Sequence, residues 1–492
     1  LIAIEGEEGL SQQRQYDSQG RLTAQLDAAA QKTSYRLNEA GDLIGVSLPD
    51  GSQISFERDQ RGQISAFSQG GLTQHYRYDR AGRLTVLTNE NHSNTSFGYD
   101  VMDRLIEQVN FDGRTQRYSY DAAGQLIESQ DGSQKSSYRH DEAGRLIERS
   151  TEQNDGSQHK ESYRYDANGQ LIRASAGTSK PGEAQQQQPE AQAHNTVMVE
   201  FKRDALGRIT AEEQSLVNAG GKTIWRHQLE RGFDALGNED RTTLHGLPEL
   251  NWQTYGSGHL HGITLHKETL IDFERDKLHR ETERRFAGAS ILKQYDRLSR
   301  LQGIRGMGPN AELHDAIRDT INRDHHYDST GQLTQIDTLQ GQYHYGYDKA
   351  RRLIEASQPN LKSQTYQFDP AGNRLFDDPA QEILSPEQER QRWEELVRKN
   401  HDNRNFNFLQ PPIQPEAIKA PKAWPSNRIR HDEHYSYTYD GFGNLINKRS
   451  IQNQQQEHRY IYDANQRLIR YGQKTEEGMS VNHYFYDPFG AE

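Results

Sequence analysis

The sequence predicts an all-β protein: a spiral of β-hairpins forming a hollow shell, with one short helical and Pro-rich insertion. Three observations carry that prediction. A Tyr-x-Tyr-Asp-x-x-Gly block recurs along the chain at a nearly constant pitch. Hydrophobic residues make up only 32% of the 492 residues, yet there are 25 tyrosines. Turn residues punctuate the chain every 8–12 positions or so, which is the rhythm of short strands.

The pitch is read from the Asp position of each block. It falls at Asp17, Asn38, Asp59, Asp79, Asp100, Asp121 and Asp141, with gaps of 21, 21, 20, 21, 21 and 20. Less regular copies follow at Asp166, Asp204, Asp234, Asp276, Asp296, Asp328, Asp348, Asp369, Asp440, Asp463 and Asp487. A fixed period of this length marks a repeat architecture.

Each block has a mechanical reading. In "YRYDANGQL" at 163–171, Tyr163 and Tyr165 are two apart and share a face of an extended strand. Asp166 opens a turn by bonding the backbone two residues on, and Gly169 takes backbone angles that other residues resist. The chain then resumes as a strand. The same roles fall to Tyr78, Asp79 and Gly82, to Tyr120, Asp121 and Gly124, and to Tyr439, Asp440 and Gly443. A second turn, such as Asp112-Gly113 or Asp131-Gly132, closes the repeat. About 21 residues therefore build two strands of roughly 6–8 residues and two turns. An open ribbon of this many strands exposes its edges. Winding it into a shell hides them, and a hollow shell needs little apolar mass. The repeated Tyr, Asp and Gly read as architecture; a carbohydrate-binding tyrosine ladder is the alternative.

Two segments interrupt the array. "SAGTSKPGEAQQQQPEAQAHN" at 175–195 reads as a flexible loop. Ser385-Pro386-Glu387-Gln388 is a helix-start signal, and Trp393, Leu396 and Val397 share a helical face, so a helix of about 13–15 residues is expected there. A Pro-rich stretch at 408–425 follows. The expected organisation is a regular array over 1–174, a low-complexity loop over 175–197, and an array with a His-rich block over 198–378. A helix and Pro-rich insertion over 379–426 and a final array over 427–492, continuing beyond the end, complete it. The start "LIAIEGEEGL" and the end "HYFYDPFGAE" suggest a segment of a longer polypeptide.

Composition narrows function. A net charge of −12 argues against a nucleic-acid surface. No apolar run approaches the roughly 20 residues of a membrane span. There are no cysteines, which excludes disulfides and Cys-based zinc sites. His259, His261 and His266 invite a metal reading, but no third ligand has a diagnostic spacing. A structural role, bonded to carboxylates such as Glu274 or Glu281, is the expectation. No cofactor is expected. "GIRGMGPN" at 303–310 is Gly-rich without strand–helix context and reads as a loop.

The Tyr-Asp-x-x-Gly-Arg-Leu array resembles the YD-repeat proteins, whose bacterial members are the Rhs proteins. "YGSGHLHGITL" at 255–265 and "DFERDKLHRE" at 272–281 resemble an Rhs core signature, carried here by Tyr255, Gly256, Gly258, His259, His261, Phe273, Arg275, Asp276, His279, Arg280 and Glu281. "SNRIRHDEHYSYTYDGFGNLINKR" at 426–449 is similar to the later core. The resemblance implies a hollow β-cocoon that encloses a C-terminal toxin domain of the same polypeptide. It implies delivery into competitor cells by type VI secretion after synthesis in the cytoplasm. The implied partners are a secretion spike protein, a chaperone and an immunity protein for the toxin. The shell itself is not expected to be an enzyme.

Two alternatives stand beside that reading: a cell-surface adhesion or carbohydrate-binding protein, and part of an aspartyl autoprotease that releases the toxin. The family's self-cleavage motif pairs two Asp-Pro-x-Gly elements. Here Asp369-Pro370-Ala371-Gly372 and Asp487-Pro488-Phe489-Gly490 lie 118 residues apart, each inside an ordinary repeat. Asp487 is the one autoproteolysis candidate, and the turn reading is preferred for both.

Overall fold

The computed structural model describes residues 2–5, 11–152, 156–179, 196–218, 220–361, 363–375, 428, 430–431, 434–453, 455–475, 478–486 and 489. Among them are 39 strands and one helix, and every ladder is antiparallel between strands that follow each other in the chain. The all-β, hairpin-by-hairpin architecture is therefore as expected. Strands of the regular copies run five to seven residues, as in Leu22–Leu26 and Leu72–Tyr78.

The two turns of a repeat differ. At each Asp-x-x-Gly turn the Asp and Gly amides and carbonyls close a tight loop; Gly144 N donates to Asp141 O at 2.9 Å and Asp141 N to Arg145 O at 2.9 Å. A β-bulge follows at once. Ser119 pairs with Glu128 and Tyr120 with Leu126, which leaves Ile127 as the extra residue. The second turn is either of the same build, as at Asn110–Gly113, or a two-residue loop, as at Gly132-Ser133 between paired Asp131 and Gln134.

Two compact units emerge, Leu1–Asn94 with Leu229–Gly372, and Thr95–Gln228 with Asn373–Glu492. Within the first, the ribbon meets a later part of itself. Asn91 Nδ2 donates to Asp369 Oδ2 at 2.6 Å, and Ala371 N donates to Asn91 Oδ1 at 3.3 Å. Gly70 lies so close to the turn at Lys349-Ala350 that a Cβ on it would stand 2.7 Å from the Lys349 carbonyl. Within the second, Gln134 Nε2 donates to Ala464 O at 2.6 Å and Asn465 Nδ2 to Glu161 Oε1 at 2.6 Å. These contacts join residues about 280 to 330 positions apart in sequence.

Apart from Phe273, the buried apolar set among the described residues is small side chains, such as Ala24, Ala66, Ala174, Ala176 and Val199, joined by buried Thr151, His159, Glu161 and Glu457. A low apolar fraction suffices because polar groups in the interior are hydrogen-bonded to one another. In the second unit the two faces of the sheet differ. One carries an exposed ion-pair ladder, Lys135–Glu128, Arg139–Glu148 and Lys160–Glu148, each at 2.8 Å. The other buries Ser136 against Thr151 and holds Tyr163 and Glu161.

Two local expectations are corrected. "GIRGMGPN" is not a loop: Leu301–Met307 is a strand, and the chain's one described helix, Ala311–Ile321, follows it. Asn310 caps that helix, accepting from Leu313 N at 2.9 Å. The glycines are its seat. A Cβ on Gly306 would stand 2.4 Å from Ile317 Cγ2, and one on Gly308 2.3 Å from His314 N. The loop expected over 175–197 is also narrower, because strand Leu171–Ser179 stays paired to Ser179 and strand Thr196–Arg203 begins at Thr196. Residues 180–195, the helix expected near 385–399 and the Pro-rich 408–425 stretch lie outside the described residues.

Candidate functional site: the repeat turn and the histidine block

The repeat turn is a two-way clamp between neighbouring copies. In the copy at 138–146, Asp141 Oδ1 accepts from Ala143 N and Arg145 N, both at 3.0 Å, while Oδ2 accepts from Arg145 Nε at 2.7 Å. The Arg145 guanidinium then lies over the ring of Tyr165 in the next copy, 4.9 Å from its centroid. In return, the Tyr165 hydroxyl donates to Leu146 O at 2.8 Å. Arg, Leu, Tyr and Asp of adjacent copies thus hold each other. That reciprocity makes Tyr-Asp-x-x-Gly-Arg-Leu a single unit rather than a turn plus decoration.

The pattern repeats along both units. Arg104 covers Tyr120 at 4.8 Å and donates to Asp121 O at 3.0 Å, and Tyr120 donates to Leu105 O at 2.8 Å. Arg300 covers Tyr327 at 4.6 Å, and Arg352 donates to Asp369 O at 2.7 Å. Where Arg is replaced, the side chain still serves the turn; Asn444 Nδ2 donates to Asp440 Oδ2 at 2.9 Å. Tyr78 and Tyr165 sit partly buried, which raises their hydroxyl pKa. The Arg83 amide and guanidinium hold Asp79 below the usual carboxylate value. Gly169 illustrates the turn's steric rule. Its φ is +82°, and a Cβ there would meet Arg145 Nη1 at 3.4 Å.

The signature block is a variant of the same brick. Arg275 stands where other copies place Tyr and reaches the equivalent carbonyl, with Nε donating to Leu260 O at 2.8 Å and Nη1 to His279 O at 2.9 Å. Arg58 and Arg203 make the same substitution, bonding Leu43 O and Leu171 O. Phe273 is buried beneath the guanidiniums of Arg275 and Arg284. Arg280 pairs with Asp276 and covers Tyr295 at 4.8 Å.

The histidines do not find the carboxylates expected for them. Glu274 pairs with Arg285, and Glu281 with Arg284 and Lys293, so cations already occupy both. Instead His259 stacks on His279 at 3.8 Å, and both rings, with that of His261, surround Tyr255, whose hydroxyl lies 3.0 Å from His279 Nδ1. Gly256 and Gly258 shape the turn that carries Tyr255, while His279 occupies the left-handed position that Gly takes in most copies, with φ of 60°. His266 sits past Leu265, at the other end of the strand His259–Leu265. No cluster of three metal-ligating side chains occurs among the described residues. Asp369 makes an ordinary repeat turn, with Gly372 N donating to its carbonyl at 3.1 Å. Asp487 lies outside the described residues.

A continuous array of interlocked antiparallel hairpins defines a class of repeat protein, and comparison supplies its family. The RHS Repeat family matches residues 16–53, 78–115, 120–158 and 327–363. The chain is 27% identical over 522 aligned residues to Double-stranded DNA deaminase toxin A of Burkholderia cenocepacia, covering 98% of this chain and 32% of that protein. It is 32% identical over 298 residues to Toxin protein Tse5 of Pseudomonas aeruginosa, covering 59% of this chain and 21% of that protein. The chain therefore spans a third or less of the length of these relatives. Among solved structures it superposes on the TcdB2-TccC3-TEV crystal structure with a TM-score of 0.61 at 13% identity, covering 98% of this chain and 29% of that one. The Photorhabdus luminescens Tc holotoxin pore gives the same TM-score and identity over 96% of this chain and 26% of that one. The chain belongs to the Rhs, or YD-repeat, family.

Proposed function

We propose that the chain is the wall of a toxin container: a hollow shell that encloses the C-terminal toxin region of its own polypeptide until delivery. The observation that carries this reading is the return of the ribbon onto itself inside each unit, through Asn91–Asp369 in one and Glu161–Asn465 in the other. A ribbon that only displayed a binding surface needs no such lateral contacts. The reciprocal clamps stiffen the wall without a thick core, which fits the low apolar content. Relatives that are themselves named toxins, and a fold shared with Tc complexes, support the same assignment.

On this reading the wall is not catalytic. Release by self-cleavage needs a second Asp-Pro-x-Gly element beside Asp487. Type VI delivery, with a spike protein, a chaperone and a cognate immunity protein, is the route that the family resemblance favours. The test is limited proteolysis of the full-length product. The downstream region is expected to survive a protease dose that destroys it when expressed alone. Equal digestion of the two forms contradicts enclosure.

A further inference from the structure

In the second unit, strands Tyr435–Tyr439, Leu445–Ser450, Glu457–Tyr462, Leu468–Thr475 and Gly478–His483 form a separate five-stranded sheet. Its described ladders are all internal. It meets the main array through the turn Asp463–Gln466. Gln134 Nε2 donates to Ala464 O at 2.6 Å, Gln466 Nε2 lies 3.4 Å from Gln134 Oε1, and Asn465 Nδ2 donates to Glu161 Oε1 at 2.6 Å. Phe489, beyond the last strand, lies with its ring centroid 6.0 Å from that of Phe201. Ala464 and Glu161 are both buried, at 5% and 3% exposure.

We infer that this five-stranded sheet is a detachable flap, and that Glu161 and Asn465 are its latch. The inference rests on the container reading, for which the flap is the release point. Successive strands of the array are joined by backbone ladders, which open only by unzipping, whereas no described ladder joins this sheet to the array. At the flap the described junction is the three side-chain contacts of one turn and the Phe489–Phe201 ring contact, which can part without unzipping a strand.

Glu161 is built to survive that step. Tyr163 Oη donates to its Oε2 at 3.2 Å, and Arg149, directly opposite on Leu146–Glu152, places Nη1 3.7 Å away. His159, on the same strand, holds Nε2 3.6 Å from Oε1 and Nδ1 3.0 Å from Thr178 Oγ1 of the neighbouring strand. That neighbour offers no charge opposite Glu161, only Ala176. On the flap, Asp463 is neutralised by Arg467 at 2.8 Å. When Asn465 leaves, the carboxylate keeps its array partners, so an open flap strands no unpaired charge. Burial alone pushes the Glu161 carboxyl up, but His159, Arg149 and Asn465 outweigh it and hold it below the ordinary value. The latch therefore stays ionised through mild acid, and release calls for a partner or a force rather than a drop to about pH 5–6.

The test is hydrogen exchange on the full-length protein carrying Asn465→Asp, which sets two carboxylates face to face. At about pH 7.5, amides of Tyr435–Tyr439 and Gly478–His483 are expected to exchange about tenfold faster than wild type, while Gln158–Tyr165 keeps its rate. At about pH 4.5 the pair shares a proton, and protection returns after correction for intrinsic exchange. The double variant Glu161→Gln with Asn465→Asp restores an amide–carboxylate contact and should restore protection at neutral pH. Should Asn465→Asp fail to fold, Asn465→Ala gives a smaller, pH-independent rise in flap exchange. Wild-type flap rates in both single variants overturn the latch. So does equal loss of protection across the array in Asn465→Ala. Proteolysis of the downstream region separates the two readings: an open flap with the cargo still protected overturns the release role and leaves the container standing.

Discussion

The two units close their ribbons with the same amide–carboxylate bond but bury it to different depths. In the first, Gly70 admits the backbone at Lys349-Ala350, Asn91 bonds the half-buried Asp369 carboxylate, and Arg351 pairs with Asp50 at 3.9 Å near the surface. In the second, a buried carboxylate with a guanidinium, an imidazole and a phenol around it receives the incoming turn. Along the array both units use the same Arg–Asp–Tyr clamp. The difference teaches that the wall is uniform along the ribbon and specialised only where the ribbon meets itself.

Substitutions break that comparison in a set order. Glu161→Ala leaves Arg149 and Asn465 without their carboxylate and should cost about 3–5 kcal/mol locally, read by hydrogen exchange in the second unit while the first keeps its protection. Gly70→Ala adds a Cβ into the Lys349 backbone at a positive φ of 61° and should cost about 2–4 kcal/mol, confined to the first unit. If each change spreads equally through both units, the distinction fails.

Acid sharpens it further. The folded pKa of Glu161 is depressed, so its contribution is complete above the ordinary Glu value of about 4.3 and is lost as pH falls through the lower folded value. The Gly70 approach itself has no titrating group, and the Arg351–Asp50 pair beside it is longer and more exposed, so its loss in acid costs less. Unit-resolved exchange on a descending pH series should therefore loosen the contact at Asn465 before the one at Gly70. The smallest effect is a control. Arg145→Lys and Arg352→Lys, one in each unit, should each cost about 0.5–1 kcal/mol, because Lys cannot reproduce the guanidinium's planar fork between Asp, carbonyl and ring. Unequal costs, measured by thermal or urea unfolding, would show that the clamp is not the shared element.

The hairpin array was legible in the sequence because its determinants are local. Asp79 and Gly82 are three apart and act on each other's backbone. The Arg that follows Gly in many copies was visible too, but its grip on the next copy's Tyr needs the strand order to be known. Arg58, Arg203 and Arg275 disguised three copies by replacing a Tyr with a side chain that reaches the same carbonyl. The helix Ala311–Ile321 carried its own signals, Asn310 as cap and Leu313, Ile317 and Ile321 at helical spacing. They were masked by Gly306 and Gly308, which suggest a loop until their packing on Ile317 and His314 is seen. Glu161 resembled any strand glutamate, since its partner Asn465 lies 304 residues away.

The central claim is that the ribbon walls in a cargo. Electron cryomicroscopy of the full-length gene product tests it most directly. The account predicts a closed wall of hairpins with additional density for the downstream region inside it. An open ribbon, or a downstream region resolved on the outside, would contradict it.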